Sequence, residues 1–206
     1  MRIGFFGGSF DPVHNGHLEL ARCCQQQAAL DEVWFTPAAV QPLKHRGPRA
    51  TNADRVAMLD LALASEPGSP LPGRSWRVCR MEIDRGGMSY TVDTLRQIHT
   101  ERPDDELFIM LGSDTLRDIG LWREPGEIFR LARPLFVHRA GAPQPEVPAS
   151  VLKANSDGQV VPQTVEMPTM TESSTEIRAL VAAHQSIDDL VPPTVARYIA
   201  ENGLYR

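Results

Sequence analysis

Residues 2–21 read RIGFFGGSFDPVHNGHLELA, and the fold turns on how this stretch changes character along its length. Arg2 to Phe6 is a short, nearly continuous apolar run, the pattern of a strand buried on both faces. From Gly16 the apolar residues fall at helical spacing, which predicts a helix over residues 16–29. Between strand and helix stand Gly7, Gly8, Ser9, Asp11 and His14, with His17 just inside the helix. Glycine lets the backbone turn sharply and lets a ligand come close to the main chain. A helix starting there points its unpaired N–H groups and positive dipole end back at the turn, so the two features together make an anion site. His14 and His17, three apart, project to one side of the first helical turn, where imidazole can donate to phosphate oxygens, more strongly when protonated.

Other glycine-rich phosphate motifs fail on spacing. The stretch contains neither G-x-x-x-x-G-K-[ST] nor G-x-G-x-x-G. The H-x-x-H pair can be read as two metal ligands, but no third His, Cys or carboxylate stands at zincin spacing.

Outward from this stretch, strand and helix patterns alternate. Residues 32–37, 76–84, 106–111, 134–141 and 160–168 read as strands. Residues 51–65, 89–102, 124–132, 174–184 and 192–205 read as helices, the first capped by Thr51 or Asn52. Loops at 65–76 and 140–155 are proline-rich and carry no motif. The alternation predicts an α/β fold, a doubly wound parallel sheet covered on both faces. In such a sheet ligands bind beyond the carboxyl ends of the strands, where strand order reverses.

At 206 residues, with 42% hydrophobic and 23% charged residues, the chain suits one domain, 1–206, with a sizeable core. A net charge of −5 argues against a general nucleic-acid or membrane binder. No apolar run approaches the roughly 20 residues a membrane span needs, and the N-terminus lacks a signal-peptide layout, which predicts a cytoplasmic protein. Cys23, Cys24 and Cys79 form neither a disulfide framework nor a zinc spacing, and a pair inside a helix pattern reads as small apolar residues.

Three later stretches carry chemistry. In SSTEIR (173–178), Ser173 and Glu176 form a capping box, and Ser174, Thr175 and Arg178 decorate the helix start, a second anion site. LGSDTL (111–116) places Gly112 and Asp114 at a strand end, where an acidic residue can accept from ribose hydroxyls or cap a helix. SYTVDTL (89–95) and Trp122 follow loops, and an exposed tryptophan can stack on a flat ring.

Together these residues resemble the nucleotidyltransferase superfamily marked by [HT]-x-G-H, here His14-Asn15-Gly16-His17, and within it the bacterial nicotinate-nucleotide adenylyltransferases. The resemblance runs from residue 2 to about 205. It implies a Rossmann-like nucleotidyltransferase fold in which the C-terminal helical part, about 172–206, completes the ATP site. It also implies ATP contacts from Gly7, Gly8, Ser9, Phe10, His14, Gly16, His17, Gly112, Asp114, Ser174, Thr175 and Arg178, with His14, His17 and Arg178 in the catalytic role. Lys44, Arg55, Tyr90, Thr91 and Trp122 fall to nicotinate mononucleotide, Trp122 stacking on the pyridine ring. No metal-binding residue is implied, and Mg²⁺ is expected on the ATP phosphates. The implied partners are ATP and nicotinate mononucleotide. An enzyme for nicotinamide mononucleotide, or for both, stays open because no side chain visibly reads carboxylate against carboxamide. A catalytically silent nucleotide sensor is the reading from another class, disfavoured by the intact His14, His17 and Arg178.

Overall fold

The computed structural model of the chain describes residues 1–43, 47–65, 73–141 and 162–206. Strand β1 (Arg2–Gly8) leads through a loop to helix α1 (Asn15–Gln27), followed by β2 (Glu32–Pro37) and α2 (Asn52–Ser65). Then come β3 (Ser75–Val78), α3 (Met81–Arg85), α4 (Thr91–Glu101) and β4 (Glu106–Gly112). A short helix α5 (Ser113–Asp118) and a 3-10 turn (Ile119–Leu121) precede α6 (Pro125–Leu131) and β5 (Arg133–Arg139). Strand β6 (Gln163–Met167) is followed by α7 (Ser174–Ala182) and α8 (Pro193–Glu201).

The strands form one parallel six-stranded sheet in the order β3-β2-β1-β4-β5-β6. Strand order reverses between β1 and β4, so the crevice of a doubly wound sheet opens at the carboxyl end of β1. Alternation along β1 sends Ile3 and Phe5 to one face and Phe6 to the other. On the first face Trp34, Ile109 and Phe136 meet Val92, Leu95 and Ile98 of α4 and Phe129 of α6. On the second, Phe35, Phe108 and Leu135 meet Leu18 and Cys24 of α1, Met58 and Leu59 of α2, and Val195 and Ile199 of α8. Each fully buried aliphatic side chain contributes ~1.5–3 kcal/mol, so both helical layers are held chiefly by this contact. Gly4 sits where the second layer closes on β1: a Cβ there would lie 2.4 Å from Met110 Cε.

The strand expected over 76–84 stops at Val78. β3 is the edge of the sheet, and its last ladder bond runs from Cys79 N–H to the Phe35 carbonyl at 2.8 Å. Beyond it the chain coils into α3, which buries Glu82 instead of continuing the apolar alternation of Trp76 and Val78. Helix α5 starts two residues earlier than an Asp114 cap would place it, with Gly112 at the N-cap and Ser113 the first helical residue. The other elements match their expected positions to within a few residues, β1 running on through Gly8. Among the described residues no helix is long and apolar enough to cross a membrane. The three cysteines are free and buried; burial raises the Cys23 thiol to about 11 and Cys24 further, which keeps both protonated. The proline-rich segments expected at 65–76 and 140–155 lie largely outside the described residues.

Candidate active site

The β1–α1 loop makes its sharp turn at Phe10 (φ 48°), while Gly7 and Gly8 do not adopt positive φ. The glycines are there for space: a Cβ on Gly8 would stand 3.0 Å from the Phe10 ring, and one on Gly16 would stand 3.1 Å from His14 Nδ1. Left-handed backbone costs a non-glycine residue about 1–2 kcal/mol, offset here by burial of the ring. Phe10 is 1% exposed and packs edge-on against Phe6 and His17, with centroids at 5.3 and 5.1 Å. Its side chain is therefore a support beneath His17 and does not line the cavity at this end of the sheet.

The scaffold holds this loop by its carbonyls. Arg55 Nη1 donates to Ser9 O (2.6 Å), Arg178 Nη1 to Asp11 O (2.7 Å) and the Ser174 hydroxyl to Pro12 O (2.9 Å). Oxygen atoms that would repel a phosphate are thereby occupied elsewhere, which favours an anion at the start of α1. The expected ligand role of Arg55 does not fit this placement. It is fully buried, and its guanidinium also donates to Ala38 O and Asn52 Oδ1, both at 2.6 Å. It ties the loops after β1 and β2 to α2 from behind. Lys44 lies outside the described residues.

His14 is the N-cap residue of α1, and His17 stands three positions on. Their rings face one another with centroids 3.7 Å apart and planes 33° from parallel. His17 Nδ1 accepts the His14 backbone N–H at 3.2 Å, which assigns the proton of the neutral ring to Nε2. His14 is buried, and desolvation lowers its pKa to about 4, so it is neutral at pH 7 in the free protein. Two imidazolium rings at this separation would repel.

Above the carboxyl ends of β1, β4 and β5 lies a cavity of about 1010 Å³. Gly7, Gly8, Ser9, His14, Gly16 and His17 line it on the β1–α1 side, and Gly112 at the end of β4. Ser89, Tyr90, Thr91 and the half-buried Trp122 line it on the α4 side. Gly112 is the N-cap of α5, which puts Asp114 inside the first turn and not at the cap. In the SSTEIR stretch, Ser173 Oγ accepts Glu176 N–H at 3.1 Å and caps α7, which is the Ser173 half of the expected capping box. Arg178 donates to Thr175 Oγ1 (3.2 Å) as well as to the loop, and beside this helix the cavity wall is formed by Met170 and Glu172.

Sequence reasoning missed a buried carboxylate at the α4 end. Glu82, 3% exposed, lines the cavity and accepts from the Thr94 hydroxyl (2.8 Å) and from Ser89. Burial raises its pKa, against the pull of these two hydroxyls and of Arg85. Ser89 Oγ in turn accepts Ala39 N–H at 2.9 Å, so one network joins α3, the start of α4 and the loop after β2. No signal in MEIDR distinguishes this glutamate from a solvated one.

The wall also bears on Mg²⁺. Asp118 and Glu172 line the cavity, and Glu172 Oε2 is buried without a hydrogen-bond partner among the described residues. No group of three His, Cys, Asp or Glu able to hold a metal occurs among the described residues. This donor set fits an ion that brings most of its oxygen ligands with it.

Residues 5–180 match the cytidylyltransferase-like family. Over all 206 residues, and the whole of the relative, the chain is 42% identical to a probable nicotinate-nucleotide adenylyltransferase of Thermus thermophilus. The chain belongs to the nicotinate-nucleotide adenylyltransferases. A second member of that family, the nicotinate-nucleotide adenylyltransferase of Bacillus subtilis, is 36% identical across 99% of this chain and 98% of its own. At the level of the fold, the nicotinic acid mononucleotide adenylyltransferase of Plasmodium falciparum, solved with NaAD, superposes with a TM-score of 0.75. It covers 99% of this chain and 97% of its own, at 19% identity.

Proposed function

We propose that the protein transfers the adenylyl group of ATP to nicotinate mononucleotide, giving deamido-NAD and pyrophosphate, a step of NAD biosynthesis. One observation carries the reading: the HNGH turn and the Ser89-Tyr90-Thr91/Trp122 wall face a single cavity of about 1010 Å³, room for both nucleotides at once. A phosphate oxygen of nicotinate mononucleotide attacks the α-phosphorus of ATP. The bond to the bridging β-oxygen breaks, and pyrophosphate leaves with that electron pair. The attacking oxygen is already ionised near pH 7, so no general base is required. Catalysis is then positioning and neutralisation of charge.

Each group follows from its place. His17 presents Nε2–H toward the reacting phosphates, and His14 beside it takes up positive charge as the triphosphate arrives. Gly7, Gly8, Ser9 and Gly16 leave room for phosphate at the start of α1. Gly112 and Asp114, with the first turn of α5, serve the adenosine end. Residues 172–206 back this half, with Ser174, Thr175 and Arg178 holding the loop and facing the triphosphate from α7. Tyr90, Thr91 and Trp122 take the pyridine end, Thr91 by the unpaired amides at the start of α4. Glu172 would stand on the wall beside a Mg²⁺ held mainly by the ATP phosphates, which would supply charge neutralisation there. The protein works in the cytoplasm on these two small molecules.

The test is pyrophosphate release with ATP and Mg²⁺, offering nicotinate and nicotinamide mononucleotide separately. The expected result is strong preference for the nicotinate form, with His17→Ala lowering turnover far more than ATP binding. Equal use of both acceptors would remove the specificity, and lost ATP affinity at unchanged turnover would remove the role of His17.

A further inference from the structure

We propose that Asp11 and Tyr205 are positioning residues for the ATP half of the site, acting by fixing the loop that carries Ser9 and His14. The proposal rests on the adenylyl-transfer reading for its kinetic consequences and on the loop geometry for its binding consequences.

Asp11 is 4% exposed and lies midway between Gly8 and His14. Its side chain does not line the cavity, so it is turned away from substrate. The carboxylate instead collects three donors from two distant segments. Arg49 N–H reaches Oδ2 at 2.8 Å, Ala50 N–H reaches Oδ1 at 3.0 Å, and the Tyr205 hydroxyl reaches Oδ1 at 2.9 Å. Arg178 Nη1, bonded to the Asp11 carbonyl, also stands 3.6 Å from Oδ2. One residue of the phosphate loop is thus the meeting point of the segment before α2, helix α7 and the stretch after α8.

Tyr205 is placed there deliberately by the backbone. It adopts φ 65°, is 8% exposed, and packs among the apolar residues under α1, α2 and α8. A left-handed tyrosine costs free energy that ring burial and the buried hydroxyl–carboxylate bond offset. Without the hydroxyl, Asp11 Oδ1 keeps a single donor in a site closed to water, and the loop loses its tie to the stretch after α8. The anchors at Ser9 O and Pro12 O do not involve Tyr205, so the fold stays while the segment between them loosens. The segment affected ends at His14, and nothing in this network touches the Tyr90–Trp122 wall.

The experiment uses the full chain carrying Tyr205→Phe, with Asp11→Asn as partner and the double variant to close the cycle. ATP affinity is read by titration calorimetry without acceptor, and KM for each substrate and kcat by pyrophosphate release. Tyr205→Phe should weaken ATP binding about fivefold, as loss of one buried hydrogen bond predicts, while KM for nicotinate mononucleotide stays within about twofold. The double variant should bind ATP no more weakly than Asp11→Asn alone, because the two groups act through one bond. If Asp11→Asn does not fold, Tyr205→Phe decides alone. Unchanged ATP affinity in Tyr205→Phe, or equal losses for both substrates, overturns the proposal. If no variant of the chain releases pyrophosphate, the function reading fails and the calorimetry still judges the loop.

Discussion

His14 shows how one side chain is set by its surroundings. Its folded pKa of about 4 lies below the ordinary value of 6.5, so between these values the unfolded chain binds the extra proton. Stability is therefore full above pH 6.5 and falls as pH drops toward 4, by about 3 kcal/mol at most. Urea unfolding at pH 7 and pH 4.5 should show this slope in the native protein and a shallower one in His14→Asn. Equal slopes would mean that the ring is solvated after all. The motif H-x-G-H is legible in sequence, but the burial that keeps one ring neutral is not. Nor is the proton's location on His17, which depends on a backbone N–H three residues earlier.

At the scale of the element, Arg55 is the clearest lesson. Its sequence position in α2 matches a ligand-binding arginine, yet the helix faces the core there and the guanidinium bridges Ser9 O, Ala38 O and Asn52. Arg55→Lys keeps the charge and loses the fork, leaving carbonyls unpaired at a fully buried site. Stability should fall by about 3 kcal/mol, equivalent to roughly 6–12 °C in Tm. A thermal shift of a degree or less, with altered acceptor binding, would restore the ligand role. Helix starts, by contrast, were readable: Ser173 caps α7, and Thr51 Oγ1 accepts Asp54 N–H at 3.1 Å before α2. Such signals are local, three residues apart, and need no tertiary context.

Across the whole molecule the cavity has two walls, the β1–α1 loop on one side and the start of α4 with Trp122 on the other, and the proposed function puts the phosphates at the first and the flat acceptor ring at the second. Trp122→Ala should therefore raise KM for nicotinate mononucleotide about three- to tenfold, the worth of a stacking contact, and leave KM for ATP unchanged. A parallel rise in both would mean that the two halves are not separate, and steady-state kinetics with each substrate varied in turn decides it.

What the sequence determined by itself is what short-range chemistry encodes. Alternating strand and helix periods gave a parallel doubly wound sheet, and the glycine-histidine and Ser-Ser-Thr stretches marked helix starts fit for phosphate. Only the tertiary structure decided which residues line the cavity and which hold the loop from behind. Arg55 and Phe10 look as open to a ligand as His17 when read in line. Their burial draws on contacts tens of residues away, Arg55 with Ser9 and Phe10 with Phe35, and the Arg178–Asp11 bond spans 167 positions. The Asp11–Tyr205 bond spans 194 positions, and no local pattern records it. Side-chain chemistry is written in sequence; desolvation and partner geometry exist only once distant segments share one low-dielectric interior.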